Sequence, residues 1–327
     1  MTEVPATGMT ATGAPAAGWA AGGPAPGPAT AGMRLRPDPG LRSRDGGTVL
    51  VGGSPYRLLR LGPTGARHVA GWWAGEPVAG PPAVQALARR LLAAGLAHPV
   101  PAAGPGPDEV TVVIPVRDRT PELRLCLAGL RGCRVIVVDD GSRDPGAVAA
   151  VAAAAGARCL HRAVNGGPAA ARNTGLAAAG TPLVAFLDSD CVPAPDWLDR
   201  LLPHFGDPAV AAAAPRIVPY EPPAPGGPGA PGWSGWRGRP GWLARYEGIS
   251  STLDMGPVAS IVRPGAKVPY VPGAALVVRA AAAGDGFAED MRVGEDVDFV
   301  WRLAARGWHV RYEPAAVLAH QHRVRLR

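Results

Sequence analysis

Between Val110 and about Ala319, short runs of consecutive apolar residues alternate with stretches of helical spacing. The runs VTVVIPV, VIVVDD and LVAFLD show no polar alternation, the pattern of strands buried on both faces. Helices are predicted to open near Pro121, Pro145, Pro168 and Pro195, because proline in a first turn loses no hydrogen bond. A short strand falls near Cys159-Leu160. This βαβα order implies a largely parallel, layered sheet. Two of its strands end in acids, Asp139-Asp140 and Asp188-Ser189-Asp190. Ligands of open α/β sheets bind outside that edge, so the acids point to a metal or a nucleotide.

The front of the chain has another rhythm. Residues 48–51 and 56–61 are β-like pieces separated by the turn-forming Gly52-Gly53-Ser54-Pro55, which reads as a hairpin. Residues 83–96 follow with Val84, Leu87, Leu91 and Leu92 on one helical stripe and Gly95 near the stop. Residues 33–101 are therefore expected to form a small α+β, winged-helix-like module, and the Pro/Gly-rich residues 102–108 a linker to a domain spanning 109–327. Residues 1–32 are almost wholly Ala, Gly, Pro and Thr, a composition that cannot offset ordering entropy and reads as a disordered tail. Another Pro/Gly-rich stretch, residues 221–241, carries Trp233 and Trp236, with Trp242 just beyond. It reads either as a loop whose rings stack on sugars or as an insertion without catalytic consequence.

Composition changes this picture little. At 327 residues and 47% hydrophobic, the chain can bury a sizeable core. The formal charge is +7, yet Lys267 is the only lysine, so the arginine excess reads as compositional bias and no nucleic-acid partner is expected. Arginines gather near the end, at Arg302, Arg306, Arg311, Arg323, Arg325 and Arg327. They form either a solvated basic face or a peripheral contact with phosphates or anionic lipid at the inner face of the plasma membrane. The four cysteines lack C-x-x-C spacing, and no secretory signal or run of about 18 apolar residues occurs, so a cytoplasmic chain with reduced thiols is expected.

Five pieces in order carry the chemistry: Val112-Val113-Ile114-Pro115-Val116-Arg117; Val138-Asp139-Asp140-Gly141-Ser142; Asn165-Gly166-Gly167-Pro168 with Ala171-Arg172-Asn173; Asp188-Ser189-Asp190; and Gly294-Glu295-Asp296. Taken singly, the acids have plain structural readings as turns, helix caps or first-turn charges. As an ordered set they resemble the family 2 glycosyltransferases of the GT-A fold, a Rossmann-like mixed sheet flanked by helices. The resemblance implies that Pro115, Val116, Arg117 and the Asp139-Asp140 pair hold the uracil and ribose of a UDP-sugar, without deciding between the two acids. It implies that Asn165, Gly166 and Arg172 wrap the nucleotide from the other side, with Arg172 near the diphosphate. Asp188 and Asp190 would match the D-x-D element, serving the ribose and a divalent cation, Mg2+ or Mn2+, for which hard oxygen ligands are suited. His320 and His322 follow a final strand in this reading, and one of them is either a third metal ligand or a surface or packing residue. Glu295 and Asp296 open a helical pattern, and the resemblance makes Asp296 the base of an inverting transfer, with Glu295 in support. Pro272-Gly273-Ala274-Ala275 would floor the acceptor site.

The front module resembles peptide-chaperone domains of the pyrroloquinoline-quinone precursor-binding (PqqD-like) type, which add a peptide strand to a sheet edge. A packing module for the next domain is the alternative. Together with GDGFAEDMRVGEDVDFVWRLAARGW, this organisation resembles the mycofactocin-system glycosyltransferases of actinobacteria. That implies glucose transfer from UDP-glucose to a peptide-derived redox cofactor, the acceptor partner. The chain stops soon after His322 where further helices are expected, which reads as an incomplete C-terminus. Three readings stand beside this one: a nucleotidyltransferase, disfavoured because Arg117-Asp118-Arg119-Thr120 replaces a Gly-rich loop; a family 2 enzyme with a lipid or cell-wall acceptor; and a peptide-binding scaffold with an inert transferase domain.

Overall fold

The computed structural model describes residues 30–101, 103–130, 132–220 and 253–321. The expectations for the tail, for Trp233, Trp236 and Trp242, and for His322 and the arginines after it lie outside the described residues, apart from the tail's last three.

The first described segment folds around its own core of Leu35, Leu50, Leu59, Trp72, Leu91, Leu92 and neighbours. Strands β1 (Arg34–Pro37) and β5 (Ala97–Val100) pair antiparallel, and β2 (Arg42–Arg44), β3 (Val49–Gly52) and β4 (Arg57–Arg60) form a meander. The hairpin reading corresponds to β3 and β4, whose register sets Val49 against Arg60 and Val51 against Leu58. Helix α2 (Pro82–Ala93) buries Val84, Ala88, Leu91 and Leu92, matching the stripe read from spacing except that Ala88 lies deeper than Leu87. Helix α1 (Pro63–Trp73) was not anticipated: its two glycines and scattered polar residues leave only Val69 and Trp72 buried.

The following domain is a mixed α/β layer built on a nine-stranded sheet. Strands β6 (Val110–Val116), β7 (Arg134–Asp140), β8 (Arg158–Arg162) and β9 (Leu183–Leu187) run parallel, as the alternation predicts. Beyond β9 the expected parallel order fails. β13 (Ala275–Arg279) lies antiparallel between β9 and β11 (Val210–Pro219), and β14 (His309–His320) pairs parallel with β11. The short strands β10 (Cys191–Pro193) and β12 (Ser260–Val262) then pair antiparallel with β14. The sheet is thus parallel in one half and mixed in the other.

Alternate strand residues feed two cores, as a period of two requires. On one face Val112, Ile114 and Val137 meet α3 (Thr120–Ala128), α4 (Pro145–Ala154) and the short α6 (Trp197–Leu201). On the other, Val113, Val138 and Phe186 meet α5 (Gly167–Ala178) and the C-terminal helix α8 (Glu295–Ala305), which follows the one-turn α7 (Ala280–Ala283). Helix α5 crosses β6 closely at Gly175, where a Cβ would stand 2.1 Å from Val113 Cγ1. Any side chain there would push the helix off the sheet and displace Arg172, one turn earlier.

Candidate active site

The register places the sequence-predicted residues along one edge. Val116 pairs with Asp139, Asp139 with His161 and Asp140 with Arg162, all at the C-terminal ends of parallel strands. Ala275 pairs with Leu187, so Asp188 leaves β9 beside the start of β13 and its N–H donates to Ala274 O. Cys191 pairs with His320, which brings the far end of β14 to the Asp188-Ser189-Asp190 turn. His320 is thus the last residue of β14, whereas the sequence reading set it after that strand.

Asp139 and Asp140 are both buried and have separate duties. Asp140 accepts from Arg162 Nε and Gly166 N on one oxygen and from Gly167 N on the other, at 2.9, 3.0 and 2.7 Å, fixing the loop that opens α5. Asp139 accepts from Ser142 N and pairs at 2.8 Å with His161 Nδ1, on a half-exposed side chain. Asn165 Oδ1 accepts from Gly167 N, tightening the same loop. Pro115 is half-buried, Val116 buried and Arg117 exposed at the rim.

At the centre lies Arg172, 3% exposed, an inward arginine on α5. Its Nη2 donates to Asp188 Oδ1 at 2.8 Å and its Nη1 to Glu295 Oε1 at 3.0 Å. Burial alone would lower its pKa, but the charges of Asp188 and Glu295 reverse the shift and hold it above the ordinary value. Burial pushes the Asp188 carboxyl up, with Arg172 opposing. Arg172 therefore ties the acid turn after β9 to the first turn of α8.

Asp296 is half-buried beside this pair, its Oδ2 accepting from Gly273 N at 2.7 Å and its Oδ1 from Val297 N at 2.8 Å. A Cβ on Gly273 would lie 2.9 Å from Asp296 Cβ and 3.4 Å from Arg172 Cζ, so only glycine lets the segment before β13 approach both. Asn173 fixes the loop before α8: its amide donates to Phe287 O and Glu289 Oε1 and accepts from Phe287 N.

Asp190 pairs with Arg119 and lies 3.5 Å from His320 Nε2. Burial pushes its carboxyl up, but the hydrogen bond and charge of His320, with the charge of Arg119, outweigh this and leave the pKa lowered. Among the described residues no three His, Cys, Asp or Glu side chains are grouped to hold a metal ion. Two carboxylates with an imidazole nearby still suit a hard divalent cation that takes its remaining ligands from a diphosphate.

Arg119, His161 and Arg162 were not singled out from sequence. The signal for the last two was present: an aligned β8 sets the adjacent His161 and Arg162 opposite the two aspartates. Arg119 had none, because only the fold brings the loop after β6 to Asp190.

Residues 111–247 match the glycosyl transferase family 2 model, and residues 183–326 match glycosyl transferase family group 2. Between them the two models span residues 111–326, so the sheet domain is similar to family 2 glycosyltransferases over nearly its whole length. Pre-mycofactocin glycosyltransferases from two strains of Mycobacterium tuberculosis are 46% identical to this chain over 302 residues, covering 90% of it and 60% of each relative. The chain thus spans about 60% of the length of these curated relatives. Glycosyltransferase AglE of Haloferax volcanii is 34% identical over 101 residues, 28% of this chain and 33% of that protein. A mannosyltransferase of Pyrobaculum calidifontis, solved in complex with GDP-Man and Mn2+, aligns with a TM-score of 0.45 at 20% identity, covering 68% of this chain and 60% of that one. Asp188, Glu295 and Asp296 all lie within the segment that matches the family group 2 model. Among the described residues no helix is long and apolar enough to cross a membrane.

Proposed function

We propose that this chain is an inverting hexosyltransferase that moves glucose from UDP-glucose onto a peptide-derived redox cofactor of the mycofactocin type or its precursor. The observation that carries the reading is the joining of Asp188 to Glu295 through Arg172, with Asp296 beside them on Gly273 N. That linkage sets a donor-side acid and a candidate base around one space at the ligand-binding edge of the sheet. The 46% identity to pre-mycofactocin glycosyltransferases supports the acceptor class.

In this reading, a GT-A one, the nucleotide lies across Pro115, Val116, Arg117 and the Asp139-Asp140 pair, with Asn165 and Gly166 at its far side. Of the two acids Asp139 faces the base, because its partner His161 is half exposed and able to turn away, whereas Asp140 is held by three donors. Asp188 and Asp190, with His320, would hold Mg2+ or Mn2+, whose charge offsets the charge developing on the leaving diphosphate. Arg172 serves by positioning Asp188 and Glu295, being too deeply buried to meet the diphosphate itself. Asp296 takes the proton of the acceptor hydroxyl as that oxygen attacks the anomeric carbon from the side opposite UDP.

The front module acts here as a PqqD-like peptide holder. Strand β4 is an outer strand of its meander, and Leu58 on it and Tyr56 just before it are exposed over a groove of about 320 Å³ shared with Arg90, Ala94 and Leu96. An extended peptide can pair with such an edge. The reading is tested by incubating the protein and manganese with labelled nucleotide sugars, with and without the cofactor precursor. Label should pass from UDP-glucose to the precursor; transfer only to a lipid or cell-wall acceptor, or none with any donor, would overturn it.

A further inference from the structure

The module and the sheet domain meet across a charged seam. Arg89 of α2 grips Asp207 with both Nη atoms, at 2.7 and 3.0 Å, and its Nη1 also lies 3.3 Å from His309 Nδ1. Arg263 donates to Ser54 O across the same boundary. Between these groups, on β14, stands Arg311, which is 2% exposed. None of its three guanidinium nitrogens has a hydrogen-bond partner among the described residues.

The charge balance of this seam is uneven. The groups acting on Arg311 are Asp207 and Arg89, and both Asp207 oxygens are already engaged by Arg89, with Ala209 N on one of them. His309 adds no positive charge near neutral pH, because burial and then the charges of Arg311 and Arg89 push its pKa down to about 3. Burial lowers Arg311 only to about 10, so its proton stays. Arg89 thus occupies the carboxylate that acts on Arg311, and Arg263 adds further positive charge to the seam, so Arg311 has no counter-ion of its own among the described residues. A buried, unpaired guanidinium is costly and cannot neutralise itself, so it requires an acceptor.

We propose that the seam between module and sheet domain binds one compact monovalent anion, of the size and charge of chloride, on Arg311. A single negative charge pairs with the Arg311 guanidinium. The enclosure argues for a small ion, since Arg311 and His309 are both buried. Lying between α2 and β14, the anion joins the two parts of the chain and makes their docking anion-dependent.

The test is thermal melting of the whole protein at constant ionic strength while gluconate is replaced by chloride. The melting temperature should rise saturably, by roughly 2–6 °C. Arg311→Met should melt no lower than wild type in gluconate and show no response to chloride. Equal wild-type melting in both salts would mean that water solvates Arg311 and would overturn the proposal, as would an undiminished chloride response in Arg311→Met. Bromide diffraction on wild-type crystals decides independently of how the variant folds: an anomalous peak against Arg311 supports the site, and its absence refutes it.

Discussion

Arg172 divides one guanidinium between Asp188 and Glu295, so its removal leaves two carboxylates facing each other across a mostly dry gap. Breaking a buried ion pair from one side typically costs about 3–5 kcal/mol. Arg172→Met should lose stability of that order in denaturant unfolding, and a loss below about 1 kcal/mol would show that the pairs are solvated and weak. Asp296 calls for a different outcome. Asp296→Asn keeps the shape and one acceptor oxygen but removes the proton acceptor, so turnover should fall about 10²–10⁴-fold while UDP binding persists. Calorimetry beside turnover separates these effects, and near-normal turnover would exclude Asp296 as the base. At this scale the sequence disclosed the acids and hid their connections. Ala169, Arg172 and Leu176 share the inward stripe of α5, a spacing that was not read from the sequence, and nothing in the chain's order revealed the two partners of Arg172.

Elements carry the seam and the peptide edge. On β14, burial first, then Arg311 and Arg89, depress His309; burial likewise depresses His98 on β5 against the raising effect of Asp38. Folded His309 titrates near 3, against about 6.5 in an unfolded chain. The unfolded state then binds more protons between these values, so this stabilisation is complete above about pH 6.5 and is lost as pH falls toward 3. The depressed carboxyl of Asp207 contributes its loss only below about pH 3.9, the unfolded value. Wild type should therefore lose unfolding free energy between pH 6.5 and 4, and His309→Leu should flatten that slope; an unchanged slope would contradict the assignment. For β4, Leu58→Asp places a charge on an exposed position and should spare folding and donor hydrolysis while depressing transfer to a peptide-bearing acceptor. Equal transfer would leave the module a packing role. The strands β6, β7 and β9 were legible because each holds a continuous apolar run, whereas β8 offered only its Cys159-Leu160 centre between basic residues. Strands β1 and β5 were not, since Leu35 sits between two arginines and its partner lies at the other end of the module. The antiparallel β13 was also hidden, because its place is set by pairing across the sheet and not by local alternation.

Across the whole molecule, the fold draws five separated motifs to one edge and sets a second, differently built module against the opposite end of β14. The domain's resemblance to family 2 glycosyltransferases was readable because those motifs occur in order; their mutual geometry was not, because Arg172, Gly273 and Asn173 create it through long-range contacts. The account rests on a single displacement with one base, which fixes the stereochemical result for the intact chain. Anomeric-proton NMR of the product formed from UDP-α-glucose and the cofactor precursor tests it most directly. A β-linked glucoside is expected, and an α-linked product would contradict the mechanism.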